Sequence, residues 1–274
     1  MKTFRPNTLE ELLSYSQSIR RDGLSPYLAF FRGQMNDWPI KPSITRNPDL
    51  SEDEILEKEK GFFENYNEET LEIKVLEHFD KDYTKYAQKW HNLFQAQHLG
   101  FYTRITDWSQ DFNSAMFFAI DDESKAYIDS NGVIYLYECP YHGDQLINFQ
   151  REEDYKFFDQ NPFDLDKAYM VKHHSQFPDD FENYAGEIRR FRQDGSFIIS
   201  TSKEINEPIE NIPYINHYLT KIFISPSIKG EISNYLDEGF KEFIYFASTE
   251  NNTEEVERIR RITMESNNKV YWDK

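Results

Sequence analysis

Leu9, Leu12, Leu13 and Ile19 fall mostly on one helical face, and Thr8 with Glu11 has capping-box spacing, so residues 8–20 are predicted as a helix. Residues 27–32, Tyr-Leu-Ala-Phe-Phe-Arg, form a nearly unbroken apolar run and read as a buried strand ending at Gly33. Pro39, Pro42 and Pro48 mark a loop from Trp38 to Pro48. A second helix starts near Ser51 and carries Ile55, Leu56, Phe62, Phe63 and Tyr66, and a further one is expected over 68–79. The clearest helix runs over 82–98, with the stripe Tyr83, Tyr86, Ala87, Trp90, Leu93, Phe94 and Gln97 and a stop at Gly100. Residues 109–120 are predicted as a mostly buried helix capped by Asp107 or Ser109. Strands are expected at 133–138, 168–172, 196–201, 219–225 and 242–247, and helices at 226–238 and 253–264.

Helices come first, and strands mixed with helices follow. That order predicts an α+β fold, a helical N-terminal half packed on a mixed or antiparallel sheet, rather than a doubly wound one. No repeat or low-complexity linker divides the chain. One domain is expected, with an N-terminal helix in 1–26, a main body over 27–250, and a C-terminal helix and strand over 251–274 packed on it.

Aromatic residues make up 16% of the chain, which excludes a disordered class. A single cysteine, Cys139, excludes a disulfide framework and a Cys-rich zinc site. The longest apolar run, Ala115 to Ile120, is too short to span a membrane, and the N-terminus lacks a secretory pattern, so a cytoplasmic location is expected. Forty-nine acidic residues against 31 basic ones give a net charge of −18. That field repels nucleic acids and anionic membranes, so no membrane partner is expected and binding DNA or RNA needs a local basic pocket. The acidic runs read as solvated faces, or as a dock for a basic partner such as an antitoxin or a chaperone.

Three clusters embed polar residues in apolar surroundings. Phe31-Arg32-Gly33-Gln34 delivers a guanidinium to a strand end, where its planar donor fork suits phosphate or carboxylate, and the glycine permits a turn or a close ligand. Its bland counterpart is an arginine paired with a structural acid. Residues 95–108 hold Gln97, His98, Gly100, Tyr102, Thr103, Arg104, Asp107 and Trp108 between two helices, the second of which offers an anion-binding N-terminus. Here the bland counterpart is a buried polar network locking those helices together. Arg189, Arg190 and Arg192 precede Gln193 and Gly195 and make an unusual basic spot, either a nucleotide contact or an exposed turn. No Gly-rich phosphate loop, nucleophile elbow, dinucleotide fingerprint or zinc-protease spacing occurs.

Phe31-Arg32-Gly33-Gln34, followed by Trp38-Pro39-Ile40-Lys41-Pro42-Ser43 and Arg46, resembles the opening of the FRG domain family. Gln97, His98, Gly100, Thr103, Arg104, Asp107 and Trp108 fill every fixed position of that family's Gln-His-x-Gly-x-x-Thr-Arg-x-x-Asp-Trp motif. Arg189, Gln193, Gly195 and Phe197 match a later motif, and the resemblance covers about residues 27–250, the main body. The chain departs from the family at Phe246-Ala247-Ser248-Thr249, where Phe-Pro-Asp-Leu is common.

The family is similar in layout to ADP-ribosyltransferases and occurs among bacterial toxin and phage-defence proteins. The resemblance therefore implies an NAD- or nucleotide-using transferase with an ADP-ribosyltransferase-like fold. Arg32 and Arg104 are then the expected diphosphate contacts, His98 or Thr103 the ribose contact, and Tyr102 or Trp108 the stacking ring. Gly33, Gln34 and Gln97 complete the nucleotide site. Glu187 and Asp107 are the candidate carboxylates for the oxocarbenium-like transition state, and Gln193 stands where a Glu is wanted. Without such a carboxylate the same residues make a sensor module for a nucleotide or a partner. A magnesium nuclease lacks the clustered acids it needs.

Overall fold

The computed structural model describes residues 1–19, 25–64, 86–122, 124–148, 152–172, 195–236, 240 and 253–272. Its strands are β1 (Lys2–Phe4), β2 (Tyr27–Gln34), β3 (Ile105–Ser109), β4 (Gly132–Pro140), β5 (Leu146–Asn148), β6 (Tyr169–Lys172), β7 (Gly195–Ile199) and β8 (Leu219–Ile224). They form one eight-stranded sheet in the order β1-β8-β4-β2-β3-β7-β6-β5. Pairing is antiparallel except at the two edges, where β1 runs parallel to β8 and β5 parallel to β6. The main helices are α1 (Leu9–Ser18), α2 (Glu52–Glu64), α3 (Ala87–His98) and α4 (Phe112–Ile120), followed by Pro226–Tyr235 and Thr253–Tyr271. This is an α+β fold on a mixed sheet. Besides the strand expected at 27–32, the N-terminal half contributes β1 and β3 to the sheet.

The sheet is unevenly joined. β2 and β4 share a continuous ladder from Tyr27↔Pro140 to Gln34↔Val133, and β3 and β7 pair from Ile105↔Ile199 to Ser109↔Gly195. Among the described residues, β2 and β3 meet only at Phe31↔Ser109. Two four-stranded halves therefore join at one residue pair.

Side-chain alternation sorts the core into layers. On one face, Leu12 of α1, Phe112, Met116 and Phe117 of α4, and Ile228 and Ile232 pack on Phe31, Ile134, Leu136 and Ile222. Beside them, Trp90, Leu93 and Phe94 of α3 pack on Ile105, Val171, Phe197 and Ile199. The opposite face carries Phe30, Trp108, Tyr135, Tyr137 and Ile198, covered by Ile40, Ile209, Ile212 and Ile215. A Cβ on Gly33 would lie 1.9 Å from the Ala115 carbonyl oxygen, and one on Gly132 would lie 2.3 Å from that of Ala119. Helix α4 thus rests its backbone directly on β2 and β4, which explains the glycine after Arg32. It serves helix–strand approach, not a turn or a ligand.

Several expectations need correction. Strand β2 runs through Gly33 to Gln34, and residues 105–109 are a strand. The helix expected from 109 starts at Phe112, and its N-cap is Asp111, whose carboxylate accepts from the Asn113 and Ser114 amides. Helix α3 starts at Ala87, with 82–85 outside the described residues, as are 68–79 and 242–247. A single helix through Tyr271 replaces the expected C-terminal helix and strand. Among the described residues no helix is long and apolar enough to cross a membrane.

Candidate functional site

Arg32 stands where the two half-sheets part. Its Nη1 donates to the Asp107 carbonyl oxygen at 2.6 Å, and its Nε donates to Gln34 Oε1 at 3.3 Å. A guanidinium has five N–H groups, so among the described residues these two bonds leave about three for another acceptor. The side chain of Gln34 is buried and its Nε2 donates to the Trp38 carbonyl at 2.8 Å, fixing the amide that steers Arg32.

Asp107 is exposed on the other lip of the junction. Both of its carboxylate oxygens accept from Gln97 Nε2, each at 2.9 Å. The Thr103 hydroxyl donates to Gln97 Oε1, which settles the amide's orientation. Thr103 also binds the turn Ser43–Thr45, through its own amide to Ser43 Oγ at 3.0 Å and through Ile44 N to its carbonyl at 3.2 Å. Arg46 leaves that turn exposed, with its guanidinium 5.1 Å from the Tyr102 ring centroid, within cation–π range. Desolvation lowers the Arg32 pKa, the Asp107 carboxylate opposes that shift, and the like charge of Arg46 adds to it. The guanidinium stays charged at neutral pH.

The structure thus brings Arg32, Gln34, Gln97, Thr103 and Asp107 into one bonded network, with Tyr102 beside it. It does not bring Arg104 there. Arg104 is buried and paired with Glu59 of α2, its Nε at 3.0 and 3.1 Å from the two carboxylate oxygens and its Nη2 on the second of them. Its Nη1 donates to the Phe163 carbonyl and to Ser202 Oγ, each at 3.3 Å. Trp108 is buried, packs near Tyr137, and donates from Nε1 to Thr106 Oγ1 at 3.2 Å. Gly33 lies under α4. His98 is the last residue of α3. Glu187 and Gln193, with Arg189, Arg190 and Arg192, lie outside the described residues.

Sequence reading missed four participants. Arg46 was visible only as part of a resemblance. Tyr135 and Lys221 become neighbours of Arg32 only through strand register, Arg32↔Tyr135 and Tyr135↔Lys221. The fourth is the C-terminal helix, which braces the motif turn: Asn267 Oδ1 accepts from the Tyr102 amide at 2.8 Å, its Nδ2 donates to the Gly100 carbonyl at 3.1 Å, and Thr263 Oγ1 donates to the Leu99 carbonyl at 3.0 Å. Gly100 takes φ +85° in that turn, a left-handed conformation open to glycine.

Chemically, the junction offers a carboxylate held from behind by an amide and two guanidiniums nearby. A carboxylate so placed can accept from hydroxyls or face a developing cation, and the guanidiniums can take a phosphate. Among the described residues no group of three or more His, Cys, Asp or Glu could hold a metal ion.

Residues 28–127 match the family model described as FRG domain, and they span Arg32, the Ser43–Thr45 turn, the Gln97–Trp108 motif and α4. The chain carries an FRG domain. No match was found among curated proteins, and none among solved structures.

Proposed function

We propose that this FRG protein binds a nucleotide of the NAD type across the β2–β3 junction and transfers ADP-ribose from it. The observation that carries the reading is Arg32, with donors left beyond its bonds to Gln34 and to the Asp107 main-chain carbonyl, beside the exposed Asp107 carboxylate that Gln97 orients and whose charge acts on the guanidinium. Arg32 and Arg46 take the diphosphate, and Tyr102 already supports the Arg46 guanidinium. Asp107 faces the ribose. As the glycosidic bond to nicotinamide lengthens, positive charge grows on the sugar, and a fixed carboxylate stabilises it without reorganising. The bonded Gln97 and Thr103 supply that fixity.

A second reading, a sensor module that binds the nucleotide without cleaving it, is favoured by one observation. Both Asp107 oxygens are already engaged by Gln97, and the central motif otherwise serves structure. Incubation with labelled NAD and cell extract separates the two. Nicotinamide release or label transfer supports the transferase, and saturable binding with NAD intact supports the module.

Arg32→Ala is expected to weaken NAD binding at least ~100-fold, about 2.7 kcal/mol, while the protein stays folded with a thermal midpoint lowered only by the loss of its bonds to Gln34 and the Asp107 carbonyl. Asp107→Asn should retain binding and lose transfer by a factor of ~100 or more, the scale of a lost electrostatic stabiliser. Wild-type binding by the Arg32 variant, seen in calorimetric titration, would remove the junction as the site. In the toxin or defence setting that accompanies the resemblance, growth arrest on expression should disappear with the same arginine.

A further inference from the structure

Arg32, Tyr135 and Lys221 are cross-strand neighbours on β2, β4 and β8. Alternation puts the three on one sheet face. Tyr135 is fully buried, yet its hydroxyl has no hydrogen-bond partner among the described residues. Buried hydroxyls are almost always bonded, so an orphan needs a reason. Burial raises the Tyr135 pKa, Glu210 and Asp37 raise it further, and Arg32 opposes them, which puts the phenol among these three charges. It stays protonated near neutral pH and is available as a donor.

The segment after β2 lies over this spot and is fastened to it. Lys221 forms an ion pair with Asp37, and the Lys221 ammonium lies 5.6 Å from the Tyr135 ring centroid. The Ile40 amide donates to Glu210 Oε2 at 2.9 Å. Two cations and two carboxylates therefore meet around one phenol, and the cluster is neutral as it stands. Arg32 has donors to spare, but an anion reaches the Lys221 ammonium only by displacing a carboxylate from it. Glu210 is committed to the Ile40 amide, whereas Asp37 is 43% exposed and sits at the surface end of its ion pair.

We propose that Tyr135, Arg32 and Lys221 form a phosphate subsite which the Asp37 carboxylate covers, and from which a phosphate group of the ligand displaces it. The inference rests on the nucleotide reading and adds to it a specificity element: a ligand must carry an anion able to compete with Asp37. The Tyr135 hydroxyl then donates to a phosphate oxygen, and Lys221 exchanges one anionic partner for another.

The test uses the full chain and two probes, inorganic pyrophosphate and NAD, titrated separately. Asp37→Asn is expected to bind pyrophosphate about tenfold more tightly than the wild type, because the competing carboxylate is gone. Tyr135→Phe placed on Asp37→Asn should reverse most of that gain. Its thermal midpoint should hold or rise, since removing an unbonded buried hydroxyl costs the fold nothing. An unchanged or weaker pyrophosphate affinity in Asp37→Asn overturns the subsite, as does a Tyr135→Phe double variant that keeps the gain. If pyrophosphate responds as expected while no variant binds NAD, the subsite stands and the dinucleotide reading falls. If NAD binds the wild type and Asp37→Asn alike and pyrophosphate does not respond, the reverse holds.

Discussion

Arg104→Ala should cost the fold about 3–5 kcal/mol, the usual penalty for stranding one member of a buried ion pair. Glu59 would be left as a charge buried to 1% exposure, and the Phe163 carbonyl and Ser202 hydroxyl would lose a donor. Urea unfolding should show the midpoint falling while the slope holds. Loss of activity in this variant would then report loss of structure. Replacing the pair together, Arg104→Met with Glu59→Leu, should recover most of the stability, since an apolar pair of similar volume strands no charge. Equal instability of the double variant would mean that the hydrogen bonds to Phe163 and Ser202 matter more than the pair itself. The comparison with Arg32 is the useful one. Both arginines stand in motifs of the same family, but among the described residues one has spent its donors on the protein's own oxygens and the other has about three in reserve.

Gly33→Ala is expected to destabilise by more than about 3 kcal/mol, beyond the usual cost of overpacking. The new methyl would meet the Ala115 carbonyl oxygen at 1.9 Å and the Ala119 amide nitrogen at 2.8 Å. Both are backbone atoms of α4, so no rotamer change relieves the contact. The helix must lift from β2, and Phe112, Met116 and Phe117 lift with it. A thermal midpoint within a degree or two of wild type would show that α4 does not sit so close. Gly132→Ala should behave similarly, with its methyl 2.3 Å from the Ala119 carbonyl oxygen.

These two cases show where sequence reading reaches and where it stops. The strand at Tyr27 was legible because five apolar residues in a row have few other uses, and the helix at Leu9 because its cap and stripe agree. Strand β3 was not legible. Its polar members are satisfied by partners that sequence does not reveal, Thr106 by Trp108 and Asp107 by Gln97, so the pattern resembled a loop leading into a helix. Glu59 looked like any other acid on a helix rich in them, and only its position one turn after buried Ile55 hints at an inward face. Arg32 was legible as a candidate because a charge closing an apolar strand is conspicuous. Tyr135 and Lys221 were hidden because cross-strand neighbours are fixed by register, not by spacing along the chain.

Among the described residues, the stretch that matches the family model contains the strands β2 and β3, which share one ladder pair, while the strands that flank them, β4 and β7, lie beyond residue 127. Excised at those boundaries, the segment would expose two unpaired strand edges and the apolar surfaces that β4, β7 and the C-terminal helix now cover. Aggregation would be its natural fate. The matched segment and the sheet that folds around it are therefore different lengths of chain, and a soluble fragment must extend well past residue 127.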